Sequence, residues 1–277
     1  MFATQSLTFS PAARGDHLRK LLHQAAGISL DTDHEGEWET AGGTAAVRLE
    51  PCDRIGVWLP MAGRPRFEDV LEITHSLPGN LRYAVVAGQL GLLADTRLDG
   101  EAHLGATLKW IDAGLGRASG KTAAEGRATE PLDRDRAKRS LADAAGAEEE
   151  LIDYRGGWEF GRRVCGEPVT LRAAVEDAEL RVFREILPAI PAATAGPVHW
   201  QTLHYNGRLR HARLALDGPA LVAETRLHAG LLRAEWVAMA LDAVAVAVRH
   251  VLLPLRILSE QEEVAQCLRQ AIPVRPR

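Results

Sequence analysis

The chain has 277 residues, of which 46% are hydrophobic and 25% are charged, the balance of a globular protein that can bury a core. Its formal net charge of −4 argues against a nucleic-acid-binding protein, because such proteins usually carry a basic excess. Three widely spaced cysteines, Cys52, Cys165 and Cys267, indicate a reducing compartment rather than a disulfide framework. The first residues do not resemble a signal peptide, so we expect a cytoplasmic protein.

Helical and strand-like patterns alternate through the first half of the chain. Asp16 can cap a helix whose leucines recur at helical spacing and which Gly27 would end. Alternating apolar residues then predict short strands, and Gly88-Gln89 predicts a hairpin turn. In chain order we expect a helix from Asp16 to Gly27, strands starting at Trp38 and spanning 44–50 and 54–59, a helix at 66–76, hairpin strands at 81–87 and 90–98, and a helix at 101–115.

The second half predicts the same order of elements. Its hairpin turns at Asp217-Gly218, a dipeptide typical of tight turns. Its most apolar segment, 237–255, contains Asp242, Arg249 and Pro254, which favours a buried helix over a membrane span. We expect a helix at 134–145, strands at 157–164, 169–175 and 180–186, a helix at 197–205, a hairpin at 210–226, a longer helix at 231–251, and a tail helix that starts with the capping box Ser259-Glu260-Gln261-Glu262.

Three pairs of matching segments indicate that the two halves repeat each other. The pairs keep the same order, and the spacing within a pair rises only from 119 to 129 residues. The second half thus has about nine additional residues between Trp158 and Glu224, and we expect this insertion in a surface loop. The pairs are Leu22–Gly27 with Leu141–Gly146, Gly36–Glu39 with Gly156–Glu159, and Leu92–Leu98 with Leu221–Leu227.

The repeat divides the chain into two units joined by a small, polar segment without periodicity, which is typical of a linker. We predict a first unit at 1–117, a linker at 118–133, and a second unit at 134–277 that includes the tail helix. Each unit should have the order α-β-β-β-α-β-β-α. The expected fold class is α+β, with helices packed on a twisted, mainly antiparallel sheet.

This element order, in a unit of about 120 residues, resembles that of the class I type III secretion chaperones. The resemblance covers both units and rests on topology and on the repeat, not on a sequence motif, so it transfers no individual binding residues. It implies a protein that holds a segment of a partner polypeptide. Because these chaperones usually have one unit and form homodimers, the tandem repeat implies a pseudo-dimer within one chain, and a homodimer of the whole chain stays open.

Histidines are the first candidates for a ligand site. His199, His204 and His211 lie close together in the sequence, but His199 and His204 are five residues apart. A helical metal pair needs a spacing of four, and no carboxylate or cysteine follows at ligand spacing. We therefore expect no metal and no cofactor, while a function for the stretch from His199 to His211 stays open. His17 and His23 are expected to be exposed.

Motifs of catalytic sites are incomplete. Gly120-Lys121-Thr122 lacks the earlier glycine of a phosphate-binding loop, because position 115 is leucine. Cys52 and Cys165 have no base and orienting group at a suitable spacing, so we expect both to be buried, apolar cysteines. We therefore assign no catalytic residues.

Two recurring features are expected to be structural. An acid and an arginine two residues apart on a strand share a face, so Asp95 should pair with Arg97, and Glu224 with Arg226. The tryptophans of the Gly-Trp-Glu match, Trp38 and Trp158, should anchor the two cores.

These observations favour a non-enzymatic, protein-binding function. The leading hypothesis is a cytoplasmic bacterial module that holds a partner polypeptide, effector-like or an assembly component, on a sheet edge or in an apolar groove. A small-ligand, metal or enzymatic site in the cleft between the units is one alternative. An architectural subunit of a larger assembly is another, which an exposed apolar patch on the 231–251 helix would favour. We expect the second unit, with its insertion and longer helix, to carry the more specialised surface.

Overall fold

The computed structural model describes residues 11–50, 54–61, 63, 65–97, 101–120, 132–145, 151–176 and 178–272. Within these residues the chain forms two antiparallel sheets of six strands each and seven α-helices. This confirms the α+β class and the two similar units. The predicted linker at 118–133 lies mostly outside the described residues, as does the Gly-Lys-Thr sequence from Lys121 onward.

The first unit follows the predicted order of elements. Gly27 ends its first helix with a φ of 68°, a left-handed conformation that glycine adopts without strain. Ala45, Val47, Ile55 and Val57 alternate along two strands and are buried. The elements are α1 (Pro11–Ala26), β1 (Ser29–Leu30), β2 (Glu35–Thr40), β3 (Gly43–Glu50), β4 (Arg54–Pro60), α2 (Phe67–Ser76), β5 (Arg82–Val86), β6 (Gln89–Arg97) and α3 (Glu101–Ala118).

The second unit repeats this order and adds a helix at its end. A short 3-10 turn, Ala229–Leu231, precedes its long helix. The elements are α4 (Arg134–Ala145), β7 (Ile152–Tyr154), β8 (Gly157–Val164), β9 (Glu167–Glu176), β10 (Glu179–Leu187), α5 (Ala195–Asn206), β11 (Arg213–Asp217), β12 (Ala220–His228), α6 (Ala234–Glu260) and α7 (Glu262–Ala271).

The two sheets have equivalent strand orders, β1-β2-β3-β4-β6-β5 and β7-β8-β9-β10-β12-β11. Trp38 and Trp158 are 7% and 1% exposed, as expected for core anchors, and each lies opposite an alanine of the next strand. α6 packs on β8, β9, β10 and β12. It is the one described helix that is long and apolar enough to cross a membrane, but half of that apolar stretch is buried in the protein, as in a core helix.

Each unit packs its middle helix on a strand of the other unit. α2 packs chiefly on β11 of the second unit, and α5 packs chiefly on β5 of the first. The two helices also touch each other, with the Phe67 and Trp200 rings 5.2 Å apart. Gly207, at the end of α5, lies so close to β5 that a Cβ there would be 2.5 Å from the Val85 carbonyl oxygen. The tandem units therefore pair within the chain through the edges of their sheets.

The insertion in the second unit lengthens a hairpin instead of a loop. In the first unit, residues 39–44 separate Trp38 from its cross-strand partner Ala45. In the second, residues 159–172 separate Trp158 from Ala173. The eight additional residues extend β8 and β9 beyond the length of β2 and β3, so the expectation of a surface loop was wrong.

Two further predictions about the end of the chain need correction. α6 continues through Pro254 to Glu260, nine residues beyond the predicted end. Ser259 is therefore not a helix cap: its hydroxyl donates to the Arg256 carbonyl inside α6, and α7 begins at Glu262 without a side-chain cap.

The short strands β1 and β7 were not predicted, because two or three residues are too few to show a period.

Candidate functional site

A cluster of buried charges joins the two units around Glu224 of β12. The Glu224 side chain has no exposed surface and accepts hydrogen bonds from Arg213 Nη2 at 2.6 Å and Arg181 Nε at 2.7 Å. His75 of α2 reaches the same carboxylate from the first unit, with Nδ1 3.2 Å from Oε2. We call this set the interface cluster; its other members are Arg226, Glu176, Glu179 and Asp217.

The interface cluster holds Glu224 ionised. Burial alone raises the pKa of a carboxyl group, but Arg213, the hydrogen bond with His75, Arg181 and Arg226 outweigh that effect and lower the pKa of Glu224 strongly. Arg226 lies further away, with Nε 3.7 Å from Oε1. The predicted pairing of Glu224 with Arg226 is thus a secondary contact, and Arg213 and Arg181 provide the short ones.

The first unit has a smaller version of this arrangement. Arg82, at the start of β5, donates to Asp95 Oδ1 at 2.9 Å, and both side chains are fully buried. Burial raises the pKa of Asp95, but Arg82, His211 and their hydrogen bonds together lower it. Asp95 was predicted to pair with Arg97, whose side chain lies outside the described residues; its partner in the structure is Arg82.

The two arginines at equivalent strand starts cross the boundary between the units in opposite directions. Arg82 donates to the carbonyls of Asn206 and Leu209 in the second unit, at 2.8 and 2.7 Å. Arg213 donates to three carbonyls of the first unit at 2.8 to 3.1 Å, those of His75, Leu77 and Leu81. Separation of the units would remove these acceptors from buried guanidinium groups, which is costly. Arg82 and Arg213 therefore stabilise the contact between the two units.

The three histidines do not converge on one site. His199 is 7% exposed on α5, His204 packs edge-on against Trp200 with ring centroids 4.6 Å apart, and His211 donates its backbone N–H to Asp95 at 3.1 Å. Burial lowers the pKa of all three. Among the described residues, no group of three His, Cys, Asp or Glu side chains could hold a metal ion.

The described cysteines and the N-terminal histidines are on the surface. Cys165 is exposed at the tip of the β8–β9 hairpin, with a φ of 51°, so the prediction of a buried cysteine was wrong there. Cys52 lies outside the described residues. His17 and His23 are exposed on α1, as expected.

A cavity lies beside the interface, between α3, α6 and the two hairpins. Asp95, Trp110, His211, Arg226 and Trp236 contribute to its walls. It offers about 40 Å³ to water-sized molecules, which is enough for about three waters. This volume is far below the roughly 300 Å³ at which small-molecule sites begin.

A larger groove lies at the far end of the second unit. Its volume is about 630 Å³, and it runs between the segment after β10 and the junction of α6 with α7. Such a volume lies within the range of small-molecule sites and also admits a side chain or a short peptide segment. We call it the terminal groove; it is lined mainly by Ile186, Leu187, Pro188, Leu252, Arg256 and Glu262.

Apolar side chains are exposed next to the terminal groove. Leu253 is 64% exposed, and Val246 and Ile257 lie on the same face of α6 at helical spacing. In the described part of the first unit, only Ile73 and Val86 are comparable. Several exposed apolar side chains within one region of the surface are typical of an interaction site. We call it the apolar patch: Val246, Leu252, Leu253, Ile257 and Val264.

The residues that unite the two units were missed at the sequence level. Arg82 and Arg213 occupy the first position of equivalent strands, 131 residues apart, a signal that a comparison of the hairpins alone could have found. His75 shows no comparable signal, because its partner Glu224 lies 149 residues away. No protein-family model and no curated protein matches the chain.

Proposed function

We propose that the chain is a non-enzymatic, protein-binding module that holds a segment of a partner polypeptide on its second unit, as the resemblance to secretion chaperones implies. The observation that carries this proposal is the apolar patch beside the terminal groove. Its residues leave apolar side chains in water, and burial of each against a partner would contribute about 1 kcal/mol or more.

The buried charges support a scaffold more than a catalyst. Glu224 and Asp95 have no exposed side-chain surface. Glu224 bonds to Arg213, Arg181 and His75. Asp95 accepts from the Arg82 and Asn80 side chains and from the His211 backbone N–H. A general acid or base must reach a substrate within hydrogen-bond distance. The small interface cavity gives the alternative of a ligand or enzymatic site between the units little room. The proposed location, the cytoplasm of a bacterium, rests on the sequence alone.

Photo-crosslinking in the native cell tests this function. A photoreactive residue at Leu253 should give a discrete adduct with one polypeptide, and the adduct should disappear when Ile257 is changed to Ser. A matched probe at the exposed Glu37 of the first unit should give none. Equal labelling from both positions, or no adduct from position 253, would contradict the proposal.

The architectural alternative is favoured by the same patch, because Val246 exposes apolar surface on the predicted 231–251 helix. In that case the adduct at position 253 would contain a second copy of the chain or a stable subunit of a large complex. Size-exclusion chromatography with light scattering separates the two functions. A partner-holding module runs as the free chain until its partner is added.

A further inference from the structure

The sheet of the second unit splits between β9 and β10. The two strands pair only from Arg172–Glu176 to Glu179–Phe183. Beyond that point β9 continues along β8 through residues 167–171, and β10 continues along β12 to Leu187. Among the described residues, each of these continuing segments therefore has a strand neighbour on one side alone.

α6 contacts the strands on both sides of the split. Arg162, near the tip of the extended hairpin, pairs with Asp242 at 2.8 Å. Arg249 donates to the Val164 carbonyl and lies 3.9 Å from Glu167. These contacts join the tip of the β8–β9 hairpin to α6, which also packs along β10. The first unit, without the eight additional residues, leaves only 43–45 of β3 and 59–60 of β4 without such pairing.

Main-chain groups point into the split from both sides. Val164 and Glu167 flank a two-residue turn and form a hydrogen-bonded pair, so Val169 and Leu171 also bond to β8. Thr170 must then direct its N–H and C=O away from β8, into the split. Glu185 of β10 is in phase with Phe183, the last residue that pairs with β9, and lies where the β10–β12 pairing becomes irregular, between Glu185 and Leu187. A strand irregularity of this kind leaves main-chain groups without a ladder partner.

The two faces of the split differ in character. Val169 and Leu171 are buried on the α6 side, where the terminal groove begins at Ile186 and Leu187. Thr170 and Glu185 are exposed on the other side. The Glu185 side chain makes no hydrogen bond or ion pair with another described residue.

We propose that an extended segment of a partner polypeptide inserts between β9 and β10 as an additional strand. The segment pairs with Thr170 on one side and Glu185 on the other, places alternate apolar side chains against α6 and the terminal groove, and presents a basic side chain to Glu185. A polypeptide strand is the occupant that matches unpaired N–H and C=O groups at a strand spacing. This inference rests on the proposed protein-binding function and specifies its site.

The test uses peptides selected on the full-length chain from a random dodecapeptide library displayed on phage. The best sequence is synthesised unmodified, N-methylated at its odd residues, and N-methylated at its even residues. An inserted strand bonds on both edges, so each N-methylated form should bind about tenfold more weakly or worse. A strand added to a single edge would be sensitive to one of the two forms only.

Substitutions in the protein give a second measurement. Thr170→Pro removes the N–H that points into the split and should weaken peptide binding about tenfold, whereas the matched control Thr170→Val keeps that N–H and the strand-forming shape and should bind normally. Glu185→Lys should weaken binding of peptides that carry a basic residue at the facing position. Circular dichroism verifies that each variant is folded.

The outcomes separate the two proposals. Loss of binding with both N-methylated peptides and with Thr170→Pro supports insertion. Full binding of either N-methylated peptide, or of Thr170→Pro, overturns insertion and leaves the protein-binding function standing, because a peptide has bound elsewhere. A selection that enriches no peptide overturns both.

Discussion

In the first unit the buried carboxylate of Asp95 pairs with one arginine, Arg82. In the second unit the buried carboxylate of Glu224 pairs with two arginines at short distance and lies near a third, and it also contacts His75 of the first unit. The second unit also carries the extended hairpin, the longer α6 and the apolar patch. The two units thus share a topology but differ in their side chains. The first unit supplies carbonyl acceptors and α2 to the interface. The second unit has more buried charged side chains and more exposed apolar side chains.

The largest expected effect comes from removing the two carboxylate charges. Glu224→Gln should destabilise the protein by about 3–5 kcal/mol, because it removes the carboxylate that pairs with buried Arg213 and one of the three that pair with Arg181. Asp95→Asn should cost less, about 2–3 kcal/mol, because it changes the carboxylate partner of one buried arginine, Arg82, whereas Glu224→Gln changes that of two. Urea unfolding measures both. Equal losses in the free energy of unfolding would show that the two buried carboxylates contribute equally to stability.

Acidification should weaken the fold in two stages. Partial or full burial lowers the pKa of His199, His204 and His211 below 6.5, so the unfolded chain binds more protons as the pH falls below 6.5, and stability is lost from there downward. We expect the free energy of unfolding to fall between pH 7.5 and 5.5.

The second stage comes from the carboxylates. The lowered pKa values of Glu224 and Asp95 stabilise the fold above their ordinary values of 4.5 and 3.8, and this contribution disappears as the pH falls below them. Urea midpoints across this range test both stages. In Glu224→Gln the loss of stability below pH 4.5 should be smaller than in the unchanged protein. A stability that stays constant from pH 7.5 to 5.5 would contradict the first.

A smaller effect is expected from the contacts that fasten the extended hairpin to α6. Arg162→Ala should cost about 0.5–1 kcal/mol, since its partner Asp242 is half exposed. Hydrogen exchange should accelerate at the tip of the β8–β9 hairpin and stay unchanged in the first unit. The neighbouring Arg163→Ala is the control, because Arg163 is exposed and, among the described residues, bonds to the Gly166 carbonyl in the hairpin turn and not to α6. Equal acceleration in both variants would contradict the role of the α6 contact.

The smallest effect on stability is expected in the apolar patch. Leu253→Ser should change the free energy of unfolding by less than about 0.5 kcal/mol, because this side chain is 64% exposed. Leu255→Ser, two residues away on the buried face of the same helix, should cost about 2–5 kcal/mol. Thermal unfolding of the pair shows whether α6 has the two faces described. A large loss for Leu253→Ser would mean that the patch is part of the core.

The predicted elements agree closely with the structure where a local pattern is long enough to be read. The helix at 134–145 and the strand at 157–164 match to the residue, and Gly27 ends α1 as expected. Predictions were wrong where a local signal competed with packing. α6 continues through Pro254 because its buried face is held against the second sheet, so the apparent capping box at Ser259 lies inside a helix. Cys165 is exposed because the insertion extends a hairpin, which places this residue at its tip.

The sequence by itself determined the two units, their element order and their fold class, because these follow from hydrophobic periodicity and turn residues within short stretches of chain. It also located the additional length of the second unit. Only the tertiary structure decided what these parts do together: that α2 and α5 exchange sheets, that Arg82 and Arg213 bond across the boundary, and that β9 separates from β10. Those contacts join residues more than a hundred positions apart or depend on pairing register, and neither leaves a periodic signal in the chain.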